Sequence, residues 1–301
     1  SRCQREGRGF DPLCPLQKKI MIIWIASYPK SGNTYLRTFL ASYYYSKKGK
    51  IDFDLLLKIH QFPNMKFSKN KSISKQDASS KWLSNQNEFF VKNKLHFVKT
   101  HNCLTPYSGN QFTTKNQTIG AIYIVRDPRN VISSITHHYS INYETALKYM
   151  LDENATLMEK SYDDDYSNFT FLSSWSKNYK SWYNTIEFKT LFIKYEDLEH
   201  NREETFKNII LFINDLNNNK KDIDEKRFFN SIKSTSFSSL QNKEKNEGFE
   251  ESVFSNETGK KKLFFNLGFK NKWQKILPSD IKDEINKNLT EDLKNLRYQV
   301  E

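Results

Sequence analysis

Apolar residues fall into short runs separated by polar stretches, and two spacings alternate along the chain. The run Ile20–Ser27 is apolar and β-branched, and Tyr28–Asn33 breaks it with a proline and a glycine. From Thr34 to Ser46, residues Leu36, Phe39, Leu40 and Tyr43 recur at helical spacing. Further strand-like runs lie at Leu95–Val98, Ala121–Val125 and Thr190–Lys194, with helical patterns at Arg129–Tyr139, Phe169–Ile186 and Thr205–Leu216. Ser279–Leu296 predicts a last helix, capped by Ser279 and stopped near Arg297. Strands alternating with helices predict an α/β domain with a parallel sheet covered on both faces. The polar stretch Lys66–Gln86 has the weakest pattern and is expected to contain a mobile loop. No internal repeat and no linker divides residues 20–301, so they read as one domain.

Composition narrows the class. The 301 residues are 37% hydrophobic, enough to fill a core. The longest apolar run, Ile20–Ala26, falls far short of the roughly 20 residues of a spanning helix. Three cysteines make no disulfide framework, so a cytoplasmic protein without a membrane span is expected. Residues Ser1–Lys19 hold Arg2, Arg5, Arg8, Cys3 and Cys14 and show no period. They read as a non-native or disordered extension. A signal peptide with Lys18–Lys19 ahead of Ile20–Ala26 is the weaker reading, because the run is short and lacks a cleavage site. The net charge of +12 suits an anionic ligand, a polyanion or a membrane surface. Its lysines are spread over the whole chain, which favours a solvated face over a nucleic-acid stripe.

The first candidate site is the strand-to-helix turn Ser27-Tyr28-Pro29-Lys30-Ser31-Gly32-Asn33-Thr34-Tyr35. Backbone N–H groups at a helix start favour an anion, and Gly32 permits close approach of backbone to phosphate. Lys30 adds charge, and Asn33 and Thr34 add side-chain donors. It is not a Walker A loop, because Lys30 precedes Gly32 where that motif has its lysine after the second glycine.

This string resembles the 5′-phosphosulfate loop, Tyr-Pro-Lys-Ser-Gly-Thr-Thr-Trp, of the sulfotransferases that use 3′-phosphoadenosine 5′-phosphosulfate (PAPS). Other segments resemble that family in the same order. Lys99-Thr100-His101 is similar to its catalytic motif, which implies His101 as the base that takes the acceptor's proton and Lys99 beside the sulfuryl group. Arg126-Asp127-Pro128-Arg129-Asn130-Val131 is the strongest match, and Ser134 follows Arg126 by the family's eight residues. The resemblance places the 3′-phosphate on Arg126 and Ser134. Tyr195, in Tyr-Glu-Asp-Leu, would border the nucleotide; Thr235 and Phe237 would contact adenine, and Tyr35 would offer a stacking face. The family's Arg-Lys-Gly-x-x-Gly-x-Trp is altered to Asn266-Leu267-Gly268-Phe269-Lys270-Asn271-Lys272-Trp273. Gly268 and Trp273 are kept and the charge is lost, unless Lys260–Lys262 or Lys270 and Lys272 replace it.

The resemblance implies a P-loop-like three-layer domain with a central parallel sheet of four or five strands. The donor is PAPS, the product is PAP, and no metal is needed. A sulfuryl group would pass to a hydroxyl or amine, with Lys30, Lys99 and His101 as catalytic residues and Ser31, Gly32, Asn33, Thr34 and Tyr35 holding the 5′ end. A nucleotide kinase and a non-catalytic polyanion-binding protein are the rival readings. The acceptor, a small molecule or a glycan, would meet Ile51–Lys94 and Tyr139–Asp165. Their aromatics Phe53, Phe62, Phe67, Trp82, Phe89, Tyr143 and Tyr149 suit a hydrophobic hydroxyl compound or a sugar ring. Three other groups read as structural: Asp163–Asp165 as a solvated loop, Cys103 as a small loop residue, and His137–His138 as partly exposed surface.

Overall fold

The structure, a computed structural model, describes residues 19–158, 164–219, 221–254, 259 and 261–300. The extension predicted for Ser1–Lys19 lies outside these residues except for Lys19, which pairs through its backbone with Asn93. The first half runs β1 (Met21–Ser27), α1 (Asn33–Tyr45), β2 (His60–Gln61), α2 (Lys75–Ser80), α3 (Trp82–Phe89), β3 (Leu95–Thr100), β4 (Thr118–Val125), α4 (Pro128–Tyr139) and α5 (Tyr143–Leu151). Then follow β5 (Thr156–Leu157), β6 (Thr170–Phe171), α6 (Trp175–Tyr183), β7 (Lys189–Lys194), α7 (Asp197–His200), α8 (Arg202–Leu216), α9 (Glu225–Ser234) and α10 (Phe237–Glu247). The chain ends with α11 (Trp273–Ile276) and α12 (Ser279–Asn295).

Five strands form one parallel sheet in the order β2-β3-β1-β4-β7, and β5 and β6 pair separately as an antiparallel ribbon. The central strand β1 aligns Ile23 with Phe97 on one side and with Gly120 on the other. Successive strand side chains point to opposite faces, so β1 divides its residues between two cores. Ile22, Trp24 and Ala26 join Val98, Tyr123 and Val125 beneath α4, α5, α6 and α12. Ile23 and Ile25 join Phe97, Ile122, Ile124 and Ile193 beneath α1 and α8. Two faces both covered by helices are why the strands read as continuous apolar runs.

Three local expectations are corrected. Lys66–Gln86 is largely helical: Ser74 caps α2, Trp82 is buried, and Gln86 bonds Phe112 O and Thr113 inside the core. Polar side chains satisfied in the interior concealed an ordered segment. Phe169–Ile186 does not begin as a helix. Thr170–Phe171 is extended, Ser173 is left-handed at φ 59°, and Ser174 caps a helix that starts only at Trp175. Ser279 is the first residue of α12 and makes no side-chain cap; Pro278 occupies the cap position.

Candidate active site

The parallel strands β1, β3, β4 and β7 end on the same side, where such sheets hold their ligands. A cavity of about 400 Å³ opens there, and most of the residues assigned from the sequence to the donor and the chemistry line it.

The loop after β1 makes two left-handed turns, at Lys30 (φ 64°) and at Gly32 (φ 103°). A Cβ on Gly32 would lie 2.3 Å from the Tyr195 ring, so glycine is required by conformation and by contact. Gly32 starts α1 without a side-chain cap, which leaves the helix start to an external acceptor. The Lys30 ammonium lies 4.2 Å from the centre of the Phe264 ring. Burial, aided by Lys99 and Arg126, lowers its pKa to about 7. Asn33 lines the cavity, and its amide donates to Ile25 O (2.9 Å) and braces the loop against β1. Ser31 is fully buried, does not line the cavity, and its Oγ has no hydrogen-bond partner among the described residues.

At the end of β3, Lys99 and His101 both line the cavity. His101 Nδ1 lies 2.7 Å from Ser27 O, a contact only an N–H can make, so Nε2 is left as the acceptor. Burial, together with the Lys99 cation, lowers the imidazole pKa to about 3, and the ring is neutral.

At the end of β4, Arg126 stacks on Tyr195, with its Cζ 4.2 Å from the ring centre. Its guanidinium donates to Lys30 O (3.1 Å) and Gly268 O (3.2 Å), while its buried Nε has no partner among the described residues. Ser134 lines the same wall from α4. The rest of the motif is structural. Arg129 pairs with Asp127 through two bonds (2.9 and 2.8 Å) and lies 3.9 Å from the Trp273 ring, so Trp273 covers a buried ion pair. Asn271 stands where the family pattern has its second glycine. It bonds Asn130 O (2.9 Å) and Ser133 Oγ (3.0 Å), which fastens the altered segment to α4.

Tyr35, Tyr195 and Phe237 line the cavity, and Gly268 closes on Phe237, where a Cβ would lie 2.4 Å from the ring. Thr235 is corrected. It is fully buried, donates to Ser231 O (2.7 Å), accepts from Arg202 (3.1 Å) and does not face the cavity. Of the lysines offered as replacements for the lost Arg-Lys charge, Lys262 lines the cavity while Lys270 and Lys272 do not; Lys260 lies outside the described residues.

Other residues were missed by sequence reasoning or set aside. Glu251 reaches the cradle from beyond α10 and bonds Thr34 and Arg37. No short motif surrounds it, and 217 residues separate it from Thr34. His137 and His138, expected at the surface, line the cavity three and four residues after Ser134, on one helical face. None of the seven loop aromatics expected around the acceptor lines the cavity; Phe62 and Trp82 are core, and Gln61, Tyr139, Leu157 and Met158 line it instead. Cys103 is buried near Thr105 and Lys177 O, and Asp165 accepts from Ser72 and Ser167, as structural residues do. Asp163 lies outside the described residues.

A left-handed loop at a helix start, a group of aromatic rings and a neutral histidine meet at one edge of a parallel sheet in a P-loop-like domain. The sulfotransferase family model, described as Sulfotransferase domain, matches residues 22–297, and the chain belongs to that family. Its class is that of the sulfotransferases, enzymes of sulfuryl transfer. Similar solved structures include mouse sulfotransferase SULT7A1 complexed with PAP, at 18% identity and a TM-score of 0.53 over 92% of this chain and 84% of that one. Retinol dehydratase with androsterone and inactive cofactor PAP is similar at 15% identity and 0.52, covering 91% and 80%. Its complex with retinol and PAP is similar at 16% and 0.53, covering 93% and 82%. These likenesses show a shared fold. No curated protein matches this sequence.

Proposed function

We propose that this protein transfers the sulfuryl group of PAPS to the hydroxyl of a small acceptor by in-line displacement, with His101 as general base. One observation carries the reading: His101 is locked by Ser27 O as the tautomer whose Nε2 accepts, in the cavity that Lys30 and Lys99 also line. The donor set fits the nucleotide. Lys30, Gly32 and Thr34 would hold the 5′ end, and Arg126, Ser134 and Lys262 the 3′-phosphate. Tyr35, Tyr195 and Phe237 would hold the adenine. The Arg126 Nε at this wall is a buried donor without a partner among the described residues.

In the reaction the acceptor oxygen bonds to sulfur as the bond from sulfur to the bridging phosphate oxygen breaks. His101 Nε2 takes the hydroxyl proton, and Lys30 neutralises the charge growing on the leaving phosphate. Lys99 steadies the sulfuryl oxygens. Much of the depression of the His101 pKa comes from burial and from Lys99. An anionic donor beside Lys99 would offset that cation and raise the base toward the working pH. The solved retinol dehydratase complexes hold androsterone or retinol. A small hydroxyl compound accords with Leu157, Met158 and Val253 on the cavity wall here, and is favoured over a glycan.

His101→Ala should reduce PAPS-dependent transfer by about 10²–10⁴-fold, while PAP binding measured by calorimetry stays nearly unchanged. Substantial residual turnover would remove His101 from the base role. Joint loss of turnover and PAP binding would make it a structural residue instead.

A further inference from the structure

Three groups of the chain itself already contact residues assigned above to the donor. The first is a carboxylate in the anion cradle. Thr34 Oγ1 donates to Glu251 Oε2 (2.8 Å), Arg37 Nη1 donates to Oε1 (2.7 Å), and Lys99 Nζ stands 3.8 Å from Oε1. Burial pushes this carboxyl up, but Lys99, Arg37 and the two hydrogen bonds outweigh it and hold the group ionised, well below the usual carboxylate range. The second is a ring on the platform. Phe269 stacks on Tyr195 (4.8 Å, 22°) and meets Tyr35 (5.7 Å, 82°) and Phe237 (6.0 Å, 63°) edge-on or tilted. It therefore contacts all three aromatics assigned to adenine. The third is the Gly268 carbonyl, which accepts from the Arg126 guanidinium at 3.2 Å.

These three groups come from Phe249–Phe254 and Phe264–Asn271, two stretches joined to a common anchor. Glu244 accepts from Ser252 Oγ (2.6 Å), Phe264 N (2.6 Å) and Phe265 N (2.9 Å), which ties both stretches to the end of α10. We infer that the two stretches are an internal occupant of the donor site: Glu251 stands in for the acidic 5′ end, Phe269 for the base and the Gly268 carbonyl for an oxygen of the 3′-phosphate. Binding of the donor is then an exchange, in which each internal group leaves as its counterpart enters. The inference rests on the donor reading given above and adds what sets donor affinity. Without Glu251, Lys99 and Arg37 would lose the carboxylate that both face; with it, the empty cradle is tolerable. Apparent affinity falls in proportion to the fraction of molecules in which the occupant has withdrawn.

The two halves are separable with partial ligands, titrated calorimetrically into wild type, Glu251→Gln, Glu251→Asp and Phe269→Ala, each first checked for a cooperative thermal melt. Pyrophosphate probes the cradle and adenosine the platform, with PAP spanning both. Glu251→Gln should tighten pyrophosphate and PAP by about tenfold and leave adenosine unchanged, with Glu251→Asp between it and wild type. Phe269→Ala should tighten adenosine and PAP and leave pyrophosphate unchanged. Weaker or unaltered pyrophosphate binding in both Glu251 variants would overturn the inference and make Glu251 a permanent brace for Lys99 and Arg37. Weaker adenosine binding in Phe269→Ala would make Phe269 part of the platform. If no variant and no wild-type sample binds PAP, the donor reading itself falls, and the occupant with it.

Discussion

At the scale of single residues, two ionisable groups tie the site to the stability of the fold. His101 is held neutral, its pKa lowered from 6.5 to about 3. As pH falls through 6.5, the unfolded chain gains a proton that the folded chain refuses, so stability declines down to about pH 3. Glu251 works in the same direction lower down. Its depressed carboxyl contributes stability above the unfolded value of 4.5 that is lost as pH falls through the lower folded value. Urea unfolding between pH 6 and 4 should therefore show falling stability. His101→Gln should reduce that slope by about 1.4 kcal/mol per pH unit, the effect of one proton. An unchanged slope would mean that His101 titrates normally in the fold. The place of His101 at the cavity was legible because Lys-Thr-His follows a strand. That of Glu251 was not, because a glutamate in a charged chain carries no signal until the fold brings it to Thr34.

Among the elements, α4 carries the clearest sequence signature and the clearest liability. Asp127 caps it through the Arg129 N–H, Pro128 opens it, and the Asp127–Arg129 pair is buried beneath Trp273. Asp127→Ala removes the cap and leaves a buried guanidinium without its counter-charge. The unfolding free energy should drop by about 3–5 kcal/mol, while Asp127→Asn, which keeps the capping oxygen, should lose less. Equal losses in the two variants would show that charge, not capping, carries the whole effect. Strand and helix centres were read well wherever one face is apolar throughout, as in α1 and β4. The misread elements are those in which context defeats local pattern. A left-handed Ser173 splits an apolar run before α6, and buried Gln86 and Trp82 order a segment that looks polar.

For the whole molecule, the sheet order brings four strand ends to one edge and collects residues from Lys30 to Gly268 around one cavity. A ligand that bridges them should stabilise the entire domain by mass action, by about 2.7 kcal/mol at a concentration of 100 Kd. In thermal melts PAP should raise the Tm well beyond AMP, because only PAP carries the 3′-phosphate proposed for Arg126 and Ser134 as well as a 5′-phosphate for the loop after β1. The gain should shrink in Lys30→Ala. Stabilisation by ATP with Mg²⁺ alone would point to a kinase. The sequence by itself determined the alternation of strands and helices, the anion loop and the order of the nucleotide motifs, since each rests on neighbours within about ten positions. Tertiary structure alone decided which residues converge. It turned Thr235 inward, tied the Asn33 amide to Ile25 O, brought His138 and Lys262 to the cavity, and set Glu251 against Thr34 and Phe269 against Tyr195. Those outcomes depend on contacts between residues far apart in the chain, which no local spacing encodes.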